Sequence, residues 1–164
     1  MGGCALRLIG ALGQPLLLMR HPGVALNLTG REEHTMPNRL SLLCVSGSRE
    51  KMQMAAMVAA TAGALGTEVI VFLSMNALGY FVRGEAPKAP AEGDMGRLMA
   101  EKNVPSFRHL FEQAKDLGGA RLYACSMAMD LLGLEEGRLE SCIEGPMGMT
   151  RFLSDASGGQ ILVF

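Results

Sequence analysis

Ala120-Arg121-Leu122-Tyr123-Ala124-Cys125-Ser126-Met127-Ala128-Met129-Asp130-Leu131-Leu132-Gly133 is the stretch whose reading decides the fold. Its first six residues read as a buried strand and the next seven as a short helix that stops at Gly133. A strand that runs straight into a helix is the repeating step of α/β proteins. The thiol of Cys125 falls on the junction, where the positive end of the helix favours the reactive thiolate. Cys125 is therefore the first candidate for chemistry.

Outward from that stretch the same alternation recurs. Leu40-Ser41-Leu42-Leu43-Cys44-Val45 is an apolar run ending in Ser46-Gly47-Ser48, a buried strand and a loop. Ser48 is placed to cap the following helix, with Lys51 and Gln53 on its wet side. Residues 52–65 are rich in Ala and Met and apolar almost all round, as in a helix covered by a sheet and a neighbour. Gly66 stands where a helix C-terminus favours glycine. Val69-Ile70-Val71-Phe72-Leu73 is the second strand, opening into Ser74-Met75-Asn76 and a short helix to Val82. Residues 84–93 are loop, punctuated by Gly84, Pro87, Pro90 and Gly93. A short helix is expected over 94–102. Ser106 caps an amphipathic helix to Leu117, with Phe107, Leu110, Phe111 and Ala114 on one face and His109 on the polar side. Beyond Gly133, a helical turn is expected over 135–139, a last helix over 146–156 and a last strand over 160–164.

Continuous apolar strands alternating with helices predict a three-layer α/β sandwich with a mainly parallel sheet. Ligands in such folds lie beyond the carboxyl ends of the strands. Three segments are expected to meet there: 45–48 with Ser46 and Gly47, 74–76 with Asn76, and 125–127 with Ser126 and Met127.

The 164 residues carry 15 basic and 16 acidic side chains, a net charge of −1, which gives no footprint for nucleic acid or a membrane surface. There are 13 Met and no Trp, so the core is aliphatic and soft. The four cysteines, Cys4, Cys44, Cys125 and Cys142, are widely spaced and form no C-x-x-C pair, and the three histidines lie near none of them. This pattern argues against a disulfide framework and a zinc site and reads as reduced thiols of a cytoplasmic protein. No cofactor is called for. Residues 1–35 differ from the rest. Their apolar run, 6–19, is interrupted by Gly10, Gly13 and Pro15, too short and broken to span a bilayer. They read as a leader or disordered arm, a gene-model extension if Met36 is the true start, ahead of a single domain over 36–164.

Four segments resemble the DsrE/DsrF-like family, in the branch often labelled "peroxiredoxin family protein". They are Cys125-Ser126-Met127-Ala128-Met129-Asp130 with Gly133, then Gly63-Ala64-Leu65-Gly66-Thr67-Glu68-Val69, then Asn103-Val104-Pro105-Ser106, and residues 148–156. The resemblance implies a DsrE/DsrF-like α/β sandwich, assembled as a homo-oligomer. It also implies a sulfur-relay role, sulfurtransferase-like, in which the cysteine matching Cys125 carries sulfane sulfur as a persulfide. The implied partners are small carriers of the TusA type or rhodanese-like donors. The thioredoxin-type peroxidatic motif is absent, so the branch label fits poorly. Cys142 departs from the family pattern and is a candidate second thiol.

Other roles for these residues stay open. A free cysteine most often serves as a small buried hydrophobe. Met127 and Met129 suit an apolar thiol pocket or plain core filling. Asp130 suits pairing at the helix or simple solvation, and Asn76 suits the cysteine site or a helix N-cap. The carboxylates near Cys142, Glu140 and Glu144, raise a thiol pKa. Two further functions therefore stand beside sulfur relay. One is a non-catalytic binding or assembly subunit. The other is a thiol redox protein in which Cys142 resolves an oxidised Cys125.

Overall fold

Strands with no polar face pack only between two layers of helices. A computed structural model, which describes residues 24–26, 32–34, 39–85 and 87–164, has this arrangement. The chain divides into two units, Met1–Thr35 and Met36–Phe164. In the first, β1 (Val24–Leu26) and β2 (Glu32–His34) pair antiparallel, with Ala25 opposite Glu33. The apolar run 6–19, Cys4 and Met36 lie outside the described residues.

The second unit is built on five parallel strands: β3 (Arg39–Cys44), β4 (Glu68–Leu73), β5 (Arg121–Cys125), β6 (Ile143–Met147) and β7 (Gln160–Val163). Their spatial order is β6-β5-β4-β3-β7. β4 lies at the centre, and Val69 to Leu73 are fully buried there. The helices are α1 (Arg49–Ala64), α2 (Met75–Leu78), α3 (Asp94–Glu101), α4 (Phe107–Gly118), α5 (Ser126–Leu132) and α6 (Met149–Asp155). The steps β3-α1-β4 and β4-α4-β5 move across the sheet in one direction, and β6-α6-β7 steps back. Right-handed crossovers therefore place α1 and α4 on one face and α6 on the other. Two contacts agree with this: Phe152 of α6 lies on Phe72 of β4 with ring centroids 4.9 Å apart, and Arg151 stands 5.6 Å over the ring of Tyr123 in β5.

α1 and α4 touch backbone to backbone. A Cβ on Gly118 would stand 2.8 Å from the Cα of Gly63, so only glycine fits on either side. At the amino end of the sheet, Glu68 of β4 accepts from Arg39 of β3 and Arg121 of β5, tying three strands together. Glu50 accepts the backbone N–H groups of Glu92, Gly93 and Gly96, and so caps α3, whose own N-cap is Gly93. Those donors hold the Glu50 carboxyl down at about 2.

Three sequence expectations need correction. Ser48 occupies the N-cap of α1 but makes no capping bond with its side chain; Ser46 Oγ accepts from the Ser48 N–H at 3.1 Å instead. Gln53 is not on a wet face: it is buried, and its Nε2 donates to the Pro105 carbonyl at 2.9 Å. The helix expected over 146–156 begins only at Met149, because Pro146 and Met147 belong to β6. That strand is an edge, and an edge tolerates proline because one side of the ladder needs no N–H.

Candidate functional site

The parallel order brings the carboxyl ends of β3, β4 and β5 side by side. The register pairs Leu73 with Ala124 and Cys125 with Met147, so Cys125 lies between the ends of β4 and β6. Cys125 is both the last residue of β5 and the N-cap of α5, with φ −64° and ψ 118°. No residue intervenes between strand and helix. Cys125 is 4% exposed. Met129 and Ala128 are buried on the inner side of α5, while Met127 is 47% exposed, Ser126 is half-buried and Asp130 is exposed. Ser126 faces the next junction: a Cβ on Gly148, which precedes α6, would lie 3.9 Å from its Oγ. Three successive strand-to-helix junctions each present an exposed methionine, Met75, Met127 and Met149. Met75 holds φ 48°, a left-handed conformation unusual for a side chain of its size.

Ser46, Gly47 and Asn76 form a second group at the ends of β3 and β4. They line a crevice with Ser48, Tyr80 and Glu92, and Cys125 is not in its lining. Gly47 is held closely. A Cβ there would come within 2.9 Å of the Asn76 Cβ, and the Tyr80 hydroxyl donates to the Gly47 carbonyl at 2.5 Å. Burial raises the Tyr80 pKa and keeps that hydroxyl a donor. Asn76 is exposed, and the N-cap of α2 is Ser74 rather than Asn76.

The other two described cysteines differ in kind. Cys44 is fully buried in β3, and burial pushes its thiol up to about 12. Cys142 precedes β6, and its thiol is pushed up to about 11. Burial is the main cause there, followed by the charge of Glu112 on α4 and then Glu140; Glu112 is thirty positions away in the chain and was invisible to a reading of near neighbours. The register pairs Leu122 with Ile143, so Cys142 sits at the amino end of β6 and Cys125 at the carboxyl end of β5. That separates them by about 13 Å along the strands, at ~3.3 Å per residue. A disulfide needs Cα atoms within about 7 Å. The fold therefore offers no intramolecular resolving step between these two thiols. All three described cysteines are free, and no cluster of three His, Cys, Asp or Glu side chains suited to a metal occurs among the described residues.

The fold and the strand-end thiol define a class: a three-layer α/β protein with a parallel sheet and a cysteine at the carboxyl end of an inner strand. Residues 88–164, which hold β5, Cys125 and all that follows, match the model of the DsrE/DsrF/DrsH-like family. This part of the chain is thus similar to the family that its cysteine segment resembles, one whose fold is related to sulfur relay. A curated relative, the uncharacterized protein YrkE of Bacillus subtilis (strain 168), is 39% identical over 67 residues, which is 41% of this chain and 41% of that protein. The chain thus matches about two fifths of that relative's length. A solved structure of a protein of unknown function, MTH1491 from Methanobacterium thermoautotrophicum, is similar with a TM-score of 0.46 and 11% identity, covering 77% of this chain and 98% of that one. The fold assignment rests on the strand order described above and not on that likeness.

Proposed function

We propose that the protein is a sulfur carrier, with Cys125 holding sulfane sulfur as a persulfide. The observation that supports this most is the place of Cys125: it closes the inner strand β5 at the sheet edge where α/β folds do their chemistry, within the family-matched region. Burial pushes the thiols of Cys44 and Cys142 up to about 12 and about 11, which disfavours either as a carrier. In the loading step the Cys125 thiolate attacks the outer sulfur of a donor persulfide. A new S–S bond forms, the donor's S–S bond breaks, and the electron pair leaves with the donor thiolate. The same exchange in reverse passes the sulfur on, with no external oxidant or reductant. At 4% exposure the thiol is reached when the first turn of α5 moves, and Met127 on that turn is the residue a partner would meet. Ser126, Met129 and Asp130 support the pocket. A TusA-type carrier or rhodanese-like donor, a homo-oligomeric state and a cytoplasmic setting complete the proposal.

The test is intact-protein mass spectrometry after polysulfide treatment of wild type, Cys125→Ser and Cys142→Ser. Wild type and Cys142→Ser should gain one sulfur, removable by a reducing thiol, and Cys125→Ser should gain none. The burial of Cys125 favours a second reading, a binding or assembly subunit in which the thiol only fills space. Wild type that stays unloaded while a control carrier loads would replace the first reading with the second.

A further inference from the structure

α1 and α4 lie side by side, and near their N-terminal turns the surface opens into a cavity of about 280 Å³ whose lining does not include Cys125. This is just below the usual range for ligand sites, about 300–1,000 Å³, and suits a small molecule. Three cationic side chains line it, Arg49, Lys88 and Arg108, and no carboxylate does. Its apolar wall is Met99, Val104 and Phe107. The three cations are held differently. Arg49 donates from Nε and NH2 to the Ala89 carbonyl at 3.3 and 3.1 Å, which fixes its guanidinium without neutralising it. Arg108 donates to the Glu140 carboxylate at 2.6 Å and to the Glu85 carbonyl at 3.3 Å, so its charge is largely met. Neither Arg49 nor Lys88 forms an ion pair among the described residues.

Two unmet positive charges on a concave, apolar-walled surface focus the potential there, in a chain whose net charge is −1. The positive ends of α1 and α4, helices of 16 and 12 residues, add to the same sign. We propose that this cavity binds a small organic anion. Its oxyanion head, a carboxylate, sulfonate or phosphate monoester, is held by Arg49 and Lys88, and its apolar body rests against Met99, Val104 and Phe107. This site is separate from the Cys125 proposal, and either can fail alone.

Isothermal titration of the full chain tests it, with phenyl phosphate, inorganic phosphate and benzyl alcohol as probes. Phenyl phosphate should bind one to one and weaken as salt is raised. Inorganic phosphate and benzyl alcohol, each with half of the recognised chemistry, should bind at least about tenfold more weakly. Lys88→Gln and Arg49→Gln should each weaken phenyl phosphate binding about three- to tenfold, as removal of a partly exposed charge partner does. Lys88 is exposed and lies outside the buried core, so its variant reads the site even if Arg49→Gln disturbs the loop at Ala89. Arg97→Gln, outside the cavity, should change nothing. The proposal is overturned if wild type takes up no phenyl phosphate at millimolar concentration. It is equally overturned if either half-probe binds as well, or if Lys88→Gln binds as wild type does.

Discussion

Single thiols in this protein are sorted by where their strands leave them. Cys44 and Cys142 are held neutral by burial, at about 12 and about 11 against an ordinary 9.0. Below pH 9 the folded and unfolded chains both keep these protons, and no stability depends on them. Above pH 9 the unfolded chain ionises first, so stability falls as pH rises, until about pH 12 for Cys44 and about pH 11 for Cys142. The slope for fully buried Cys44 is about 1.4 kcal/mol per pH unit. Urea midpoints measured between pH 8 and 11 should therefore drop, and Cys44→Ala should flatten the drop whatever it does to stability at pH 8. An unchanged slope in that variant would contradict the account. The sequence showed Cys125 at a strand-to-helix junction because both neighbours announce themselves locally. It did not show that the thiol is only 4% exposed, since burial depends on segments distant in the chain. The Glu112 charge near Cys142 was hidden for the same reason.

Elements were legible wherever one period ran unbroken. α5 spans the residues read for it, and β4 and β5 agree with their apolar runs to within a residue. β6 was missed because Ile143-Glu144-Gly145-Pro146-Met147 carries three poor strand formers, and its pairing comes from β5. The cap that Glu50 supplies to α3 was also hidden, because it joins segments more than forty positions apart. The α1–α4 contact gives a sharp prediction. Alanine at Gly118 gains up to about 1 kcal/mol of helix propensity. It also drives a Cβ into the Gly63 backbone, and overpacking of that kind costs about 1–3 kcal/mol. Gly118→Ala should therefore lower stability on balance, read as a lower urea midpoint at an unchanged slope. A midpoint at or above that of wild type would mean that the two helices separate freely.

At the scale of the whole molecule, the three-layer plan followed from strand–helix alternation alone, as did the place of Cys125 at the carboxyl end of its strand. The strand order did not, because local pattern says nothing about which strand pairs with which. β7 takes its place on the far side of β3, exposes Ile161, Leu162 and Val163, and bonds with the loop after β3. Phe164 accepts from the N–H groups of Val45 and Ser46 at 2.8 and 3.1 Å, and donates to the Leu43 carbonyl at 2.9 Å. A variant lacking residues 160–164 loses these three bonds, at about 1 kcal/mol each, along with the β7 ladder. It should unfold at lower urea by at least about 3 kcal/mol and bind a hydrophobic dye at the bared edge of β3. A variant as stable as wild type would mean that β7 adds nothing to the sheet.

The same bonds impose a timetable on synthesis. The loop 45–48 leaves the ribosome early, yet the strand that fastens its first residues is made after every other strand of the sheet. A nascent chain can assemble β3, β4 and β5 while that corner of the crevice still lacks its tether. One rim of the crevice is thus completed by the last strand of this sheet to be made.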